Sequence, residues 1–108
     1  MLYAVTLTYL KSHDAISEHL SAHKRWLARG FKEEKIILAG PLSNGTGGYI
    51  LFHVNDVIEV DNFLDDDPFL IFNVAEAEIT GLEPALCAME FPAKWANKAR
   101  FMSVGPEI

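Results

Sequence analysis

Cysteine is nearly absent from the 108 residues: Cys87 is the single one, so the chain forms no internal disulfide. Chains without disulfides are typical of reducing compartments, and we expect a cytoplasmic protein. Cys87 stands among Leu86, Ala88 and Met89, which indicates a small buried hydrophobe and not a nucleophile.

Long hydrophobic runs are missing too. No apolar stretch approaches the ~20 residues that a membrane-spanning helix needs, so we expect no membrane partner. The N-terminal residues lack the basic segment and the apolar core of a secretory signal, so we expect no leader. The length predicts one domain.

Lysine and arginine are absent from residues 36–93, whereas Asp and Glu are frequent there. The net charge is −6, and most basic residues gather in residues 24–35. An acidic chain with one local basic cluster is a poor nucleic-acid binder, so we expect no nucleic-acid partner. The two clusters predict helices with facing surfaces of opposite charge.

Hydrophobic residues, by contrast, make up half of the chain. This is more apolar surface than one small core buries, which predicts an oligomer interface or an apolar pocket.

The first half of the chain alternates between strand and helix patterns. Residues 2–9 predict a central strand, and residues 35–42 and 48–54 predict a hairpin around the turn at 43–47. Between them lies an amphipathic helix that Ser12 or Asp14 caps. Its inward stripe is Ile16, Leu20, His23, Leu27 and Phe31, with Lys24, Arg25 and Arg29 facing away. His23 stands where an apolar residue is expected.

The second half predicts another helix, a helical turn and a strand. Asp56 and Glu59 form a capping box, and the inward residues that follow are Val57, Val60, Phe63 and Leu64. Pro68 ends this helix and makes Asp67 the N-cap of a turn over residues 68–72. Residues 75–82 predict a fourth strand, residues 85–91 a further strand and residues 92–100 a short helix.

The resulting order, βαββαβ, predicts an α+β, ferredoxin-like antiparallel sheet with both helices on one face. The other, partly apolar face needs a cover, and pairing with the sheet of a second copy supplies one, so we expect a homodimer. We predict a domain over residues 1–91 and a C-terminal extension over residues 92–108.

Three short runs resemble the YciI-like (YCII-related) family: residues 22–27 (AHKRWL), 37–42 (ILAGPL) and 66–69 (DDPF). The resemblance covers about residues 1–84. It implies a dimeric α+β barrel and an active site built on a His and an Asp, here His23 and Asp67. In the wider family it implies removal of chloride from a chlorinated hydroxyquinol, and muconolactone isomerases share the barrel. Glu34 and Asn73 depart from the family by replacing glycines.

The chemistry of this pair also follows from the residue types. An imidazole titrates near neutrality, and a carboxylate on one ring nitrogen orients it for proton transfer. We therefore predict elimination, dehydrochlorination or isomerisation of a small cyclic or aromatic metabolite by His23 and Asp67. Aromatic side chains near the pair in sequence or on the neighbouring strand are predicted to bind the substrate ring: Phe69, Tyr49 and Trp26, with His53 as a further pocket residue.

Plainer interpretations stand beside these. A lone histidine in an apolar stripe is usually structural, and Asp67 is fully explained as a helix cap. His19 and His23 have metal-ligand spacing, but no further ligand set accompanies them, so we expect no metal or other cofactor. His13 is predicted to lie in a loop. The alternatives to an enzyme are a non-catalytic small-ligand-binding module and an interaction domain.

Overall fold

A computed structural model describes residues 1–103. The strands of its main sheet are β1 (Leu2–Tyr9), β2 (Ile36–Pro41), β3 (Gly47–His53) and β4 (Ala75–Leu82). The helices are α1 (His13–Lys32), α2 (Val57–Leu64) and the short α3 (Pro68–Ile71). A second, small sheet follows, made of β5 (Leu86–Ala88) and β6 (Arg100–Met102).

The main sheet has the order β2-β3-β1-β4, and all its neighbours are antiparallel. In the central strand β1, Val5 lies opposite both Ile50 and Ile79. Val5, Ile50 and Phe52 share one buried cluster with residues of the helices, which places the helices on one face of the sheet. The predicted α+β, ferredoxin-like architecture is confirmed.

Local sequence explains where the helices begin and end. The side chains of Ser12 and Asp56 accept hydrogen bonds from backbone N–H groups at the starts of α1 and α2. Glu34, at φ 59°, follows α1 in the left-handed conformation, and Lys35 N–H donates to the carbonyl of Gly30 at 2.9 Å. Asn73, at φ 55°, follows α3 in the same way, so both departures from glycine keep the backbone of a Schellman cap.

The opposite face of the sheet stays partly open. Tyr49, Leu51 and His53 point away from the buried Ile50 and Phe52 on β3 and are half-buried. Leu38, on the neighbouring edge strand β2, is 48% exposed. An apolar surface of this kind suits a protein partner better than water.

Four expectations about the helices and the strands after β4 differ from the structure. Phe31 is 45% exposed because α1 turns its neighbour Gly30, about 100° away around the helix, toward the core, and Val57 is 41% exposed in the first turn of α2. The strand predicted over residues 85–91 is limited to β5. The helix predicted over residues 92–100 is only a 3₁₀ turn, Ala93–Trp95, because the chain then extends into β6 and pairs with β5 in parallel.

The opposite charges of the two helical segments do face each other. Arg29 of α1 donates to the carboxylate of Asp66, just beyond α2, at 2.9 Å, and lies 3.4 Å from Glu33. All three side chains are solvated, so these ion pairs orient the helices more than they stabilise them. Within residues 1–103, none of the helices has both the length and the apolar composition that crossing a bilayer requires.

Candidate active site

His23 lies on the buried side of α1, in the same row as Ile16, Trp26 and Gly30. Its ring stacks on Phe69, with 3.9 Å between centroids and 8° between planes. Trp26 lies 5.5 Å from it at a tilt of 31°. The imidazole therefore has an aromatic, largely water-free surrounding and one orientation.

Asp67 is completely buried at the N-terminus of α3. Pro68 occupies the first helical position, and Asp67 caps the helix by accepting a 3.0 Å hydrogen bond from Phe69 N–H through Oδ1. The same Oδ1 lies 2.7 Å from Nδ1 of His23. The predicted cap is confirmed, and the carboxylate that forms it is also in contact with the imidazole.

This contact decides which nitrogen of His23 is free. A carboxylate only accepts hydrogen bonds, so Nδ1 carries the proton and donates to Asp67. In the neutral imidazole the lone pair then lies on Nε2, which has no hydrogen-bond partner within residues 1–103. The arrangement leaves Nε2 free to accept a proton, with a carboxylate placed to stabilise the imidazolium.

The second carboxylate oxygen, Oδ2 of Asp67, is buried and has no partner among the described residues. An unpaired polar atom in a dry site costs folding free energy. The carboxylate therefore forms hydrogen bonds through Oδ1 alone. One is with Phe69 N–H and caps α3, and the other is with Nδ1 of His23.

A cavity of about 570 Å³ opens beside His23, between α1 and one end of β1 to β3. Its wall is mainly apolar and aromatic and is made of Leu7, Tyr9, His13, Ile16, Ser17, Leu20, His23, Lys24, Leu27, Ala39, Gly40, Pro41, Gly45, Gly48, Tyr49, Ile50 and Phe69. Its volume suits a small ring compound.

The predicted site residues divide into two groups. Phe69 and Tyr49 line the cavity together with His23. Trp26 and His53 do not. The Trp26 side chain packs toward α2 instead, and its Nε1 donates to the carbonyl of Phe63 at 2.9 Å.

His53 lies four residues beyond Tyr49 on β3, roughly 13 Å along the strand. It lines a different depression with Phe31, Lys94 and Trp95. Burial, and then the positive charges of the N-terminus and Lys94, lower the pKa of His53. Its environment thus favours the neutral imidazole.

Three aromatic or ionisable residues of the cavity were not predicted as site residues. Tyr9, at the end of β1, packs edge-on against Phe69 at 6.1 Å. Lys24 was expected to face away, and His13 was expected in a loop, but His13 begins α1 and both line the cavity. The signal was the spacing of His13, Ser17, Leu20, Lys24 and Leu27, which is that of one helix face.

The described part of the chain contains no cluster of side chains that could bind a metal ion. Residues 1–103 contain no group of three or more His, Cys, Asp or Glu side chains arranged to hold a metal ion. His19 stacks on Phe72, with 4.3 Å between the ring centroids. Cys87 lines a separate depression between β5 and β6.

The model of the YCII-related domain family matches residues 1–82. The chain belongs to this family. The match runs from β1 to the end of β4 and includes His23 and Asp67, so the family recognised from the three short motifs is confirmed. The comparison with curated proteins found no match.

Two solved structures have the same fold as this YCII-related chain. A 5-chloro-2-hydroxyhydroquinone dehydrochlorinase from Burkholderia phenoliruptrix AC1100, in complex with 2,5-dihydroxybenzoquinone, is 19% identical at a TM-score of 0.68. That match covers 79% of this chain and 96% of the dehydrochlorinase. A muconolactone isomerase is 24% identical at a TM-score of 0.58, covering 76% of this chain and 88% of the isomerase.

Both structures belong to the dimeric α+β barrel superfamily. At these identities the likeness establishes the fold of this chain and not its reaction.

Proposed function

We propose that this YCII-related protein is an enzyme in which His23 transfers a proton and Asp67 positions it. The observation that carries the proposal is the 2.7 Å contact between Nδ1 of His23 and Oδ1 of Asp67, beside a cavity that His23 also lines. The contact fixes the tautomer, so Nε2 is the basic nitrogen.

The reaction class follows from this base. Nε2 removes a proton from a carbon of the bound substrate, and the electron pair of the broken C–H bond forms a new π bond. In an elimination, chloride leaves the neighbouring carbon with the electrons of the C–Cl bond. In an isomerisation, the new π bond displaces the electrons of the adjacent π bond to the carbon at its far end, and the imidazolium returns the proton to that carbon.

A small cyclic or aromatic metabolite suits the cavity best. Its wall includes the partly exposed Tyr9, Leu20 and Leu27, and its volume is about 570 Å³. The two proteins of similar fold are a dehydrochlorinase of a chlorinated hydroxyhydroquinone and a muconolactone isomerase. A hydroxyhydroquinone and a lactone are both small ring compounds, which supports the same substrate class here.

The test is turnover of a panel of chlorinated and hydroxylated aromatics and of lactones. We expect conversion of one class by the wild type and a loss of about 10²–10⁴-fold in His23→Asn, the range that a general acid–base residue contributes. Asp67→Asn keeps an N-cap but loses the negative charge, so its rate falls as well. Chloride release or a shift of the ring absorbance gives the readout.

His19→Asn is the matched control, since His19 lies one turn earlier on α1 and stacks on Phe72 outside the cavity. It is expected to keep the wild-type rate. Equal turnover by wild type and His23→Asn would contradict the proposal. Binding without conversion by either protein would favour a non-catalytic ligand-binding module instead.

We also propose that the protein is a homodimer that pairs the open faces of two sheets. Leu38, Leu51 and Tyr49 lie on that face with partial exposure, and the two similar folds belong to a superfamily of dimeric barrels. Sedimentation should give a dimer, and Leu51→Glu should give a folded monomer. Ile58→Glu, on the outer side of α2, is 62% exposed and should remain dimeric.

A cytoplasmic location belongs to the same proposal, as do a small-molecule partner and the absence of nucleic-acid binding. The single cysteine supports a reducing compartment, and the net charge of −6 opposes nucleic-acid binding. Cell fractionation tests the location, since recovery with secreted material would contradict it. The domain boundary at residue 91 stays a prediction.

A further inference from the structure

The charge of the cavity wall is opposite to that of the whole protein. The chain has 15 acidic residues and a net charge of −6. None of the residues that line the cavity is Asp or Glu, whereas Lys24 lines it. A carboxylate on the wall would repel an anion, so its exclusion from this surface favours a negatively charged ligand.

Lys24 supplies the permanent charge of this wall. It lies one residue after His23 on α1, and its ammonium group has no ion pair within residues 1–103. Arg29 on the same helix, in contrast, contacts both Asp66 and Glu33. Among the described residues, Lys24 is thus an unpaired cation that lines the cavity next to His23, whereas the neighbouring Arg25 does not line it.

We propose that the cavity selects a small planar organic anion, and that Lys24 is the residue that recognises its charge. The ring of the ligand lies against Tyr9 and the apolar side chains of α1 in the cavity wall, and its anionic group lies at the ammonium of Lys24. This rests on the proposed function, because it names the substrate class of the same site. It assigns specificity to Lys24, whereas proton transfer belongs to His23.

The test uses three probes that share a planar ring and a planar substituent: benzoate, benzamide and benzamidine carry charges of −1, 0 and +1. Their dissociation constants are measured by ¹H–¹⁵N NMR titration of the full chain. The amide signals of Gly40, Gly48 and Phe69 report binding inside the cavity. Benzoate should bind roughly two- to fivefold more tightly than benzamide, the range of a partly solvated ion pair, and benzamidine should bind worst.

Lys24→Glu should reverse this order, and Lys24→Arg should keep it. Arg25→Glu is the matched control: it changes the net charge by the same amount one position further along α1, but Arg25 does not line the cavity. It should leave the preference for benzoate unchanged. Added salt should weaken the preference in the wild type, because screening reduces the attraction of solvated charges.

Equal affinity for benzoate and benzamide, an order that Lys24→Glu does not alter, or no binding of any probe in the cavity would overturn the proposal. The measurement is independent of turnover. His23→Asn should abolish conversion if the proposed function is right, yet keep the preference for benzoate. A failure of the catalytic proposal alone would leave turnover in His23→Asn equal to that of the wild type, with the preference for benzoate intact, and the two failures are therefore distinct.

Discussion

The ring of His23 lies parallel to the ring of Phe69 at 3.9 Å, while Nδ1 of His23 is held by Asp67. Asp67 and Phe69 are two residues apart, and the same short helix, α3, carries both contacts. This short segment thus orients the imidazole in two ways: Asp67 bonds to the edge of the ring, and Phe69 packs against its face. Both constraints depend on the cap that Asp67 makes with Phe69 N–H.

Asp67→Ala should destabilise the protein more than Asp67→Asn. Alanine removes the N-cap and leaves Nδ1 of His23 without an acceptor, at a combined cost of about 2 kcal/mol in the free energy of unfolding. Asparagine keeps an oxygen at the same place and should cost less. Urea denaturation measures both, and equal losses would show that the cap contributes nothing.

Trp26→Phe should lower the free energy of unfolding by about 1–3 kcal/mol, because it removes a buried hydrogen bond to the Phe63 carbonyl and leaves a void. Ligand binding in the cavity should not change, since Trp26 does not line it. Trp95→Phe, in the 3₁₀ turn after β5, is the control with a smaller expected loss. A large change in ligand affinity with Trp26→Phe would contradict this separation.

Glu34→Gly should be more stable than Glu34→Ala by about 1 kcal/mol, because a side chain at φ 59° strains against its own backbone and glycine does not. Glu33, the C-cap at φ −84°, offers the control: Glu33→Gly should bring no gain over Glu33→Ala. Thermal unfolding of the four variants decides it. No advantage of glycine at position 34 would mean that the left-handed conformation is not adopted in solution.

His53 should make the protein less stable in acid. Its pKa in the folded protein is lowered by burial and by the charges of the N-terminus and Lys94. The unfolded chain therefore binds more protons than the folded one as the pH falls below the ordinary histidine pKa of about 6.5, and stability declines until the folded pKa is passed. Stability rises again with pH over the same window.

The stability difference between wild type and His53→Gln, measured at about pH 5 and about pH 8, isolates this contribution from other acid-sensitive groups. The wild type should lose more stability than the variant in acid. Lys94→Gln should raise the pKa of His53 in an NMR titration. A pKa of His53 at or above the ordinary value would refute the assignment of these charges.

The elements themselves could be predicted because their signals are local. Strand alternation gives β1 and β4 with their observed bounds, and Ser12, Asp56 and Asp67 mark helix starts through hydrogen bonds to residues two or three positions away. A proline and a capping oxygen act on their own neighbours, whatever the rest of the chain does. The family follows from short motifs of the same local kind.

Which residues line the cavity could not be predicted from such local patterns. Lys24 and Arg25 are both exposed basic residues of α1, yet only Lys24 lines the cavity, since about 100° of helix rotation separates them. Tyr49 and His53 share a face of β3, yet only Tyr49 reaches the cavity, because distance along the strand matters as much as the face.

By itself, then, the sequence determined the βαββαβ order, the caps and the two residues that the family pattern pairs. Only the tertiary structure decided that Nδ1 of His23 meets an oxygen 44 residues further along the chain and that Nε2 stays free. It also decided that Trp26 and His53 lie outside the cavity. Local patterns act over one or two turns of chain, whereas a site forms where distant segments pack together, and packing depends on all of them at once.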